Sequence, residues 1–303
     1  MSGTGRFAPS PSGELHVGNL RTAALAWLAA RSSRRSFLLR IEDLDEQRSR
    51  AEHAARQLAD LASIGLDWDA EPIHQSSRLA DYQDALNHLI ADGYTFECFC
   101  SRQEIREAQS APHAGSARYP GTCRALSDTE RARQRRSARP ATIRLRANDV
   151  ERGWHDLVLG AQTGLADDVV LRRWDGALAY NLAVVVDDTW QTVDQVVRGD
   201  DLVDQTATQI LLAELLGGAI PDYGHVPLVV NAQGRRLAKR DGAVTLTDLR
   251  ARGVSPEQVV QQILDSLGPA APRNATDFAA AADGFDPAQL PRAPWVFTPP
   301  VGC

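Results

Sequence analysis

The chain has 303 residues, of which 43% are apolar and 24% charged, with a formal net charge of -6. These proportions describe a globular protein able to bury a substantial core, and the acidic balance excludes one that coats nucleic acid non-specifically while permitting a local basic surface. Apolar runs such as Leu182 to Val186 are far too short to span a bilayer and the opening residues lack a secretory pattern, so a cytoplasmic protein without a membrane partner is expected.

Short β-like runs alternate with longer helical ones, which predicts an α/β fold with a parallel sheet flanked by helices. Gly5 to Phe7 reads as a first strand, followed by the loop Ala8-Pro-Ser-Pro-Ser-Gly13 and a helix from about Gly18 to Arg34. Phe37 to Ile41 reads as the next strand, ending at Glu42-Asp43. Helices are expected near Ala51 to Ile64 and Arg78 to Ala91, the second closed by Gly93. Residues 98–140 change character, with clustered cysteines, a Pro/Gly-bearing loop and the run Arg131-Ala-Arg-Gln-Arg-Arg136, which reads first as a solvated helix face. They are expected to interrupt a catalytic domain whose halves are 1–97 and 141–245. In the second half, strands are expected at Thr142 to Arg146 and Asp168 to Arg173, a buried segment at Tyr180 to Val186 and a strand at Val193 to Val197. Arg198-Gly-Asp-Asp201 leads into a helix to about Leu216, then a strand from His225 to Val230 and a polar loop from Asn231 to Asp241. The remainder, 246–303, is expected to carry short helices, one near Pro256 to Leu267, and from Gly268 a Pro/Ala-rich tail of loose order.

Two segments suit an anion. The loop before the first long helix offers free backbone N–H groups and the positive end of a helix dipole, with Gly13 and Gly18 allowing close approach and His16 able to donate to a phosphate oxygen. The second is Arg235-Arg-Leu-Ala-Lys-Arg240, a basic loop able to neutralise charge on a polyphosphate. Lys239 is the only lysine in an arginine-rich chain, which suggests a position where a compact ammonium serves and a planar guanidinium does not. Either segment alone would be an ordinary loop. Among the cysteines, the close pair Cys98-x-Cys100 reads first as metal binding in a reducing compartment.

Arg6-Phe-Ala-Pro-Ser-Pro-Ser-Gly-Glu-Leu-His-Val-Gly-Asn19 closely resembles the opening of glutamyl-tRNA synthetases, and Arg236-Leu-Ala-Lys-Arg240 resembles their Lys-Met-Ser-Lys-Ser loop, with Arg236 and Ala238 as departures. Leu39-Arg-Ile-Glu-Asp-Leu-Asp45 and Val197-Arg-Gly-Asp-Asp-Leu202 match further family segments in order, so the resemblance spans roughly residues 5–267. It implies a class I synthetase-type, doubly wound, Rossmann-like sheet and the formation of glutamyl-AMP from ATP with Mg²⁺. His16 and Lys239 would be catalytic, and Pro9, His16, Gly18, Asn19, Arg236 and Lys239 would bind ATP. Glutamate would be held by Arg6, Ser10, Glu42, Tyr180 and Arg198.

Only a few dozen residues follow Lys239, too few for an anticodon-binding domain, which matches the family's truncated paralogues. Those activate L-glutamate without tRNA and place it on the queuosine base of tRNA(Asp). They carry zinc where this chain has Cys98, Cys100, Tyr119 and Cys123, so the resemblance implies Zn²⁺ there. Generic zinc chemistry favours His113 over Tyr119 as the fourth ligand. A monomer is expected. The alternatives are a catalytic-only enzyme charging the 3′ end of tRNA(Glu), another nucleotidyltransferase sharing the phosphate loop, or a non-catalytic tRNA-binding paralogue.

Overall fold

A computed structural model of the chain describes residues 3–109, 118–137, 139–237 and 244–299. In chain order the elements are β1 (Thr4–Phe7), α1 (Val17–Ser32), β2 (Ser36–Ile41), α2 (Ala51–Ser63), β3 (Ile73–His74), α3 (Leu79–Ala91), β4 (Thr95–Cys98), α4 (Arg102–Gln109) and α5 (Asp128–Arg135). There follow β5 (Thr142–Leu145), β6 (Glu151–Asp156), β7 (Gly160–Leu165), β8 (Val170–Arg172), α6 (Tyr180–Trp190), β9 (Gln195–Gly199), α7 (Thr206–Leu215) and β10 (Asp222–Val226). The last are β11 (Val229–Val230), α8 (Leu246–Ala251), α9 (Pro256–Asp265), α10 (Phe278–Ala282) and β12 (Trp295–Val296). None of the described helices is long and apolar enough to cross a membrane.

The main sheet runs β3-β2-β1-β9-β10-β6-β7, parallel throughout except for the antiparallel β6–β7 hairpin. Strand alternation sends neighbouring residues to opposite faces. On β1, Gly5 and Phe7 face α1, and a Cβ at Gly5 would lie 2.8 Å from that of Ala30, so glycine lets the helix lie close on the strand. Between them, Arg6 points to the other face, where it meets Asp188 of α6. On β2, Phe37 and Leu39 join the core around α1 while Arg40 reaches Asp188. On β9, Val197 faces that core and Arg198 turns to α7, where it meets Thr206 and Gln209. The sheet is therefore doubly wound, and its three buried arginines share the α6–α7 face.

Tyr180 to Val186, expected as a buried segment, is buried and forms the first two turns of a helix, because this β-branched run is enclosed by α3 and α7 in a second apolar core that also holds Leu145 and Leu171. Two departures from the sequence-based expectations have physical causes. Strands β5 and β8 do not join the parallel sheet but form a separate antiparallel sheet in the order β4-β5-β8, with β5 in the middle. The stretch His225 to Val230 is split at Pro227, which has no N–H to donate to a ladder, so β10 and β11 belong to different sheets. The C-terminal segment corrects a third expectation. Ala270, Phe278, Ala281, Phe285, Leu290 and Phe297 are buried in the main core, where alanine-rich α10 packs against alanine-rich α1. Small side chains signal close approach here rather than loose order.

Candidate active site

Strands β1 and β9 are neighbours, with β2 and β10 leading away on either side, so their C-terminal ends open on a crevice at the point where strand order reverses. A cavity of about 240 Å³ lies there, lined among others by Arg6, His16, Gly18, Asn19, Glu42, Tyr180, Arg198 and Arg236. Eight of the residues singled out from the sequence thus meet in one place. Pro9 is buried beside it, and its carbonyl accepts the Glu42 N–H at 2.9 Å, which holds the start of the post-β2 loop. Ser10 does not join the group. It is exposed, with its carbonyl accepting from Gln57. Lys239 and His113 lie outside the described residues.

The phosphate end is built by a helix cap. His16 is the N-cap of α1, where its ring Nδ1 accepts the Asn19 N–H at 3.2 Å while Asn19 Oδ1 accepts the His16 N–H at 3.2 Å. With Nδ1 an acceptor, the neutral ring carries its proton on Nε2, which makes it a donor for an anion. A Cβ at Gly18 would lie 2.8 Å from two ring atoms of His16, so only glycine leaves the imidazole this seat. Opposite, β11 turns back at Asn231, whose Oδ1 accepts the N–H groups of Gln233 and Arg235. The Leu237 N–H then bonds to Val229, and that tight return sets Arg236 at the cavity mouth, paired with Asp201.

The opposite wall is ionic and dry. Arg6, 4% exposed, makes two 3.2 Å bonds to Asp188, which also takes a 2.7 Å bond from fully buried Arg40. Asp187 beside it accepts from Gln75, Arg78 and Tyr82, so two carboxylates at the C-terminal end of α6 tie that helix to three other segments. Asp188 is held below the usual carboxylate range by Arg40 and Arg6, which outweigh its burial. Glu42 experiences the reverse balance. Burial pushes its carboxyl up to about 7 against the pull of the same two arginines. Tyr180 opens α6, and burial pushes its hydroxyl up. Arg198, also 4% exposed, donates Nε to His225 Nε2 at 3.0 Å and its amino groups to Gln209 and Thr206 at 2.6 and 2.9 Å. A cavity with fixed guanidiniums on one wall, one carboxylate beside them and a helix N-terminus opposite can take a zwitterion with an extra carboxylate next to a polyphosphate.

Away from this cavity, the Sγ atoms of Cys98, Cys100 and Cys123 all lie within 4.8 Å of one another. The Tyr119 oxygen is 3.3 Å from Cys98 Sγ and 3.7 Å from Cys100 Sγ, and it accepts the Cys123 N–H at 2.9 Å. The hydrogen bond from Cys98 pulls the Cys123 thiol down to about 6 and pushes Cys98 up. Three convergent, mostly buried sulfurs with an oxygen beside them fit a tetrahedral zinc ion, which selects thiolate ligands. Sequence reasoning missed Asp188, Arg40, Asp201, His225 and Asp156. The first two had a readable signal, since paired acids after an apolar run and an arginine inside a strand are charges that must find partners once buried.

The chain matches the family described as tRNA synthetases class I (E and Q), catalytic domain, over residues 4–286. It is 57% identical over 300 residues, 98% of this chain and 94% of the relative, to the glutamyl-Q tRNA(Asp) synthetase of Nocardia farcinica. The glutamate–tRNA ligase of Trichodesmium erythraeum is 41% identical over 85% of this chain, but the match spans 30% of that longer relative. Among solved structures, the glutamate-tRNA synthetase of Elizabethkingia anophelis superposes with a TM-score of 0.83 at 26% identity, covering 98% of this chain and 68% of the other. The switch-point cavity, the capped phosphate end and these similarities lead to one conclusion: the chain belongs to the class I tRNA synthetases of the glutamate and glutamine type and is a synthetase-like ligase.

Proposed function

We propose that this enzyme activates L-glutamate with ATP, without tRNA, and transfers the glutamyl group to the queuosine base of tRNA(Asp). The observation that carries the activation half is the meeting of Arg6, Glu42, Tyr180 and Arg198 beside the α1 N-terminus in one cavity. For the acceptor, support comes from four relatives named glutamyl-Q tRNA(Asp) synthetase, 42–57% identical and matched over 76–94% of their own length.

In this reading the guanidiniums of Arg6 and Arg198 take glutamate's carboxylates, Glu42 takes the α-ammonium, and the Tyr180 hydroxyl adds a polar contact. The α-carboxylate oxygen forms a bond to the α-phosphorus of ATP as the bridging bond to pyrophosphate breaks, and AMP leaves when the acyl group moves to the acceptor. The chain's task is to align these groups and stabilise negative charge. His16 Nε2–H and the Gly18 backbone N–H at the α1 N-terminus hold the triphosphate. Arg236 exchanges its pairing with Asp201 for phosphate oxygens, and Lys239 meets charge growing at the α- and β-phosphates. A magnesium ion bound to ATP would neutralise part of the triphosphate charge. Zinc, where bound, would be held by Cys98, Cys100, Cys123 and Tyr119 and would cross-link the segment around β4.

The test is ATP–pyrophosphate exchange with glutamate and no tRNA, followed by glutamate incorporation into tRNA(Asp) with and without queuosine. Exchange without tRNA and incorporation only into the modified tRNA are expected. Exchange that requires tRNA(Glu), with glutamate on its 3′ end, would overturn the proposal. Replacing Lys239 by alanine is expected to slow adenylate formation roughly a hundredfold or more with glutamate affinity nearly unchanged, since its charge is needed chiefly in the transition state.

A further inference from the structure

Arg198 is the buried wall of the glutamate pocket, and a guanidinium there can rotate about its long side chain unless its other donors are occupied. They are occupied in a graded way. Gln209 and Thr206 accept from the two amino groups, but the inner Nε–H is taken by a histidine that has no contact with the cavity, His225 on β10. The pairing is built into the sheet, because Arg198 and His225 stand opposite each other in the β9–β10 register.

His225 can accept from Arg198 only through an unprotonated Nε2, so its proton must sit on Nδ1. Asp156, at the end of β6, enforces this. Its Oδ2 lies 2.5 Å from His225 Nδ1, and its Oδ1 accepts the N–H groups of Val158, Leu159 and His225. Those three bonds lock the carboxylate in one orientation and keep it ionised. Both His225 and Asp156 are essentially without solvent exposure, so no water substitutes for either partner. Tyr223 stacks on the His225 ring with a 12° interplanar angle and also lies 5.2 Å beneath the Arg198 guanidinium carbon, which removes the remaining ring freedom.

We propose that Asp156 and His225 form a positioning pair that fixes the histidine tautomer and thereby the orientation of Arg198 toward glutamate. This deepens the reading of Arg198 as a carboxylate ligand and rests on it. Without the pair, a donor-only guanidinium would face a donor N–H and swing out of register with the substrate.

Two histidine replacements separate positioning from mere packing. His225→Gln can place an amide oxygen near where Nε2 stood and keep the acceptor for Arg198. His225→Asn can keep the bond to Asp156 but leaves Nε of Arg198 without an acceptor. Titration of L-glutamate into the full-length chain by calorimetry is expected to rank affinity as wild type, then H225Q, then H225N, with H225N weaker by roughly ten- to hundredfold, the worth of a hydrogen bond to a charged group. For D156N, ¹⁵N–¹H spectra are expected to show the His225 proton moved from Nδ1 to Nε2, with a similar loss of glutamate affinity. R198K serves as the control on the underlying reading. If R198K weakens glutamate binding but H225N, H225Q and D156N do not, or lose it equally, the positioning pair is wrong while Arg198 keeps its role. If R198K binds glutamate like wild type, both fall.

Discussion

At the scale of single residues, Glu42 carries the clearest conflict between stability and use. Its carboxyl is pushed up to about 7 by burial, so between the ordinary value of 4.5 and 7 the folded chain holds a proton that the unfolded chain has released. Stability contributed by this group therefore falls as pH rises through that window. Glu42→Gln removes the cost and is expected to stabilise the fold by about 1–3 kcal/mol at pH 8, read as a rise in denaturant midpoint. The same substitution is expected to weaken glutamate activation at least roughly tenfold, because a neutral amide cannot balance the α-ammonium. In the wild type the KM for glutamate should climb as pH drops below about 7, where Glu42 becomes protonated. A KM flat from pH 8 to 6 would remove Glu42 from ammonium binding. Gly18→Ala makes the complementary case at the phosphate end. Its methyl would meet the His16 ring at 2.8 Å, so the ring must move, and the KM for ATP should rise several-fold with glutamate affinity retained. Both residues were legible because their motifs are local. Asp156 and His225 were not, since they are 69 residues apart and His225 lies 27 residues from Arg198, and nothing in a local pattern announces such pairings, while the paired acids at Asp187-Asp188 signalled a need for partners without naming Arg6, 182 residues away.

At the scale of elements, what could be read was what repeats. Helix α1 has a cap at His16 and a run of small and apolar residues, and its observed bounds are within two residues of the expected ones. The β6–β7 hairpin escaped notice because its strands, ERGWHD and GAQTGL, hold too few apolar residues to show alternation. Helix α6 was obscured by the opposite problem, a β-branched run whose strand propensity is overridden by its neighbours. The cysteine cluster offers a test at this scale. Its thiols stand 3.5 Å apart at Cys100 and Cys123 without a disulfide, and closely packed thiols of this kind gain from a metal that takes their charge. Purified protein is expected to carry stoichiometric zinc. Cys123→Ser should lose it and render the segment from β4 to β5 sensitive to protease, while glutamate binding in the distant cavity is kept. Absence of zinc from protein expressed in zinc-replete medium would sink the site.

For the molecule as a whole, the informative fact is that one core runs from Phe7 to Phe297. Helix α1 carries the phosphate-binding cap at one end and is backed by α10 and the β11–β12 pair. Arg21 on α1, 1% exposed, donates to the Pro227 carbonyl and to Ser266, and its guanidinium carbon lies 5.9 Å from the Trp295 ring centre. Burial lowers that guanidinium to about 10 against the pull of the Asp200 carboxylate, so it stays a cation whose donors are met by the Pro227 carbonyl and Ser266. The C-terminal segment thus acts as a buttress that holds the phosphate end in place from behind. Phe278 is 1% exposed at the centre of this contact, and Phe278→Ala is expected to destabilise the fold by about 3–5 kcal/mol. Because α1 shares its core with β1, β2 and β9, the loss should show as one cooperative transition at lower denaturant, monitored equally by tryptophan fluorescence and far-ultraviolet dichroism. The KM values of the folded fraction should stay near wild type, since no cavity residue is touched. A separate early transition confined to the C-terminal segment, with the rest of the chain unfolding at its original midpoint, would show that the segment decorates the catalytic sheet rather than supports it.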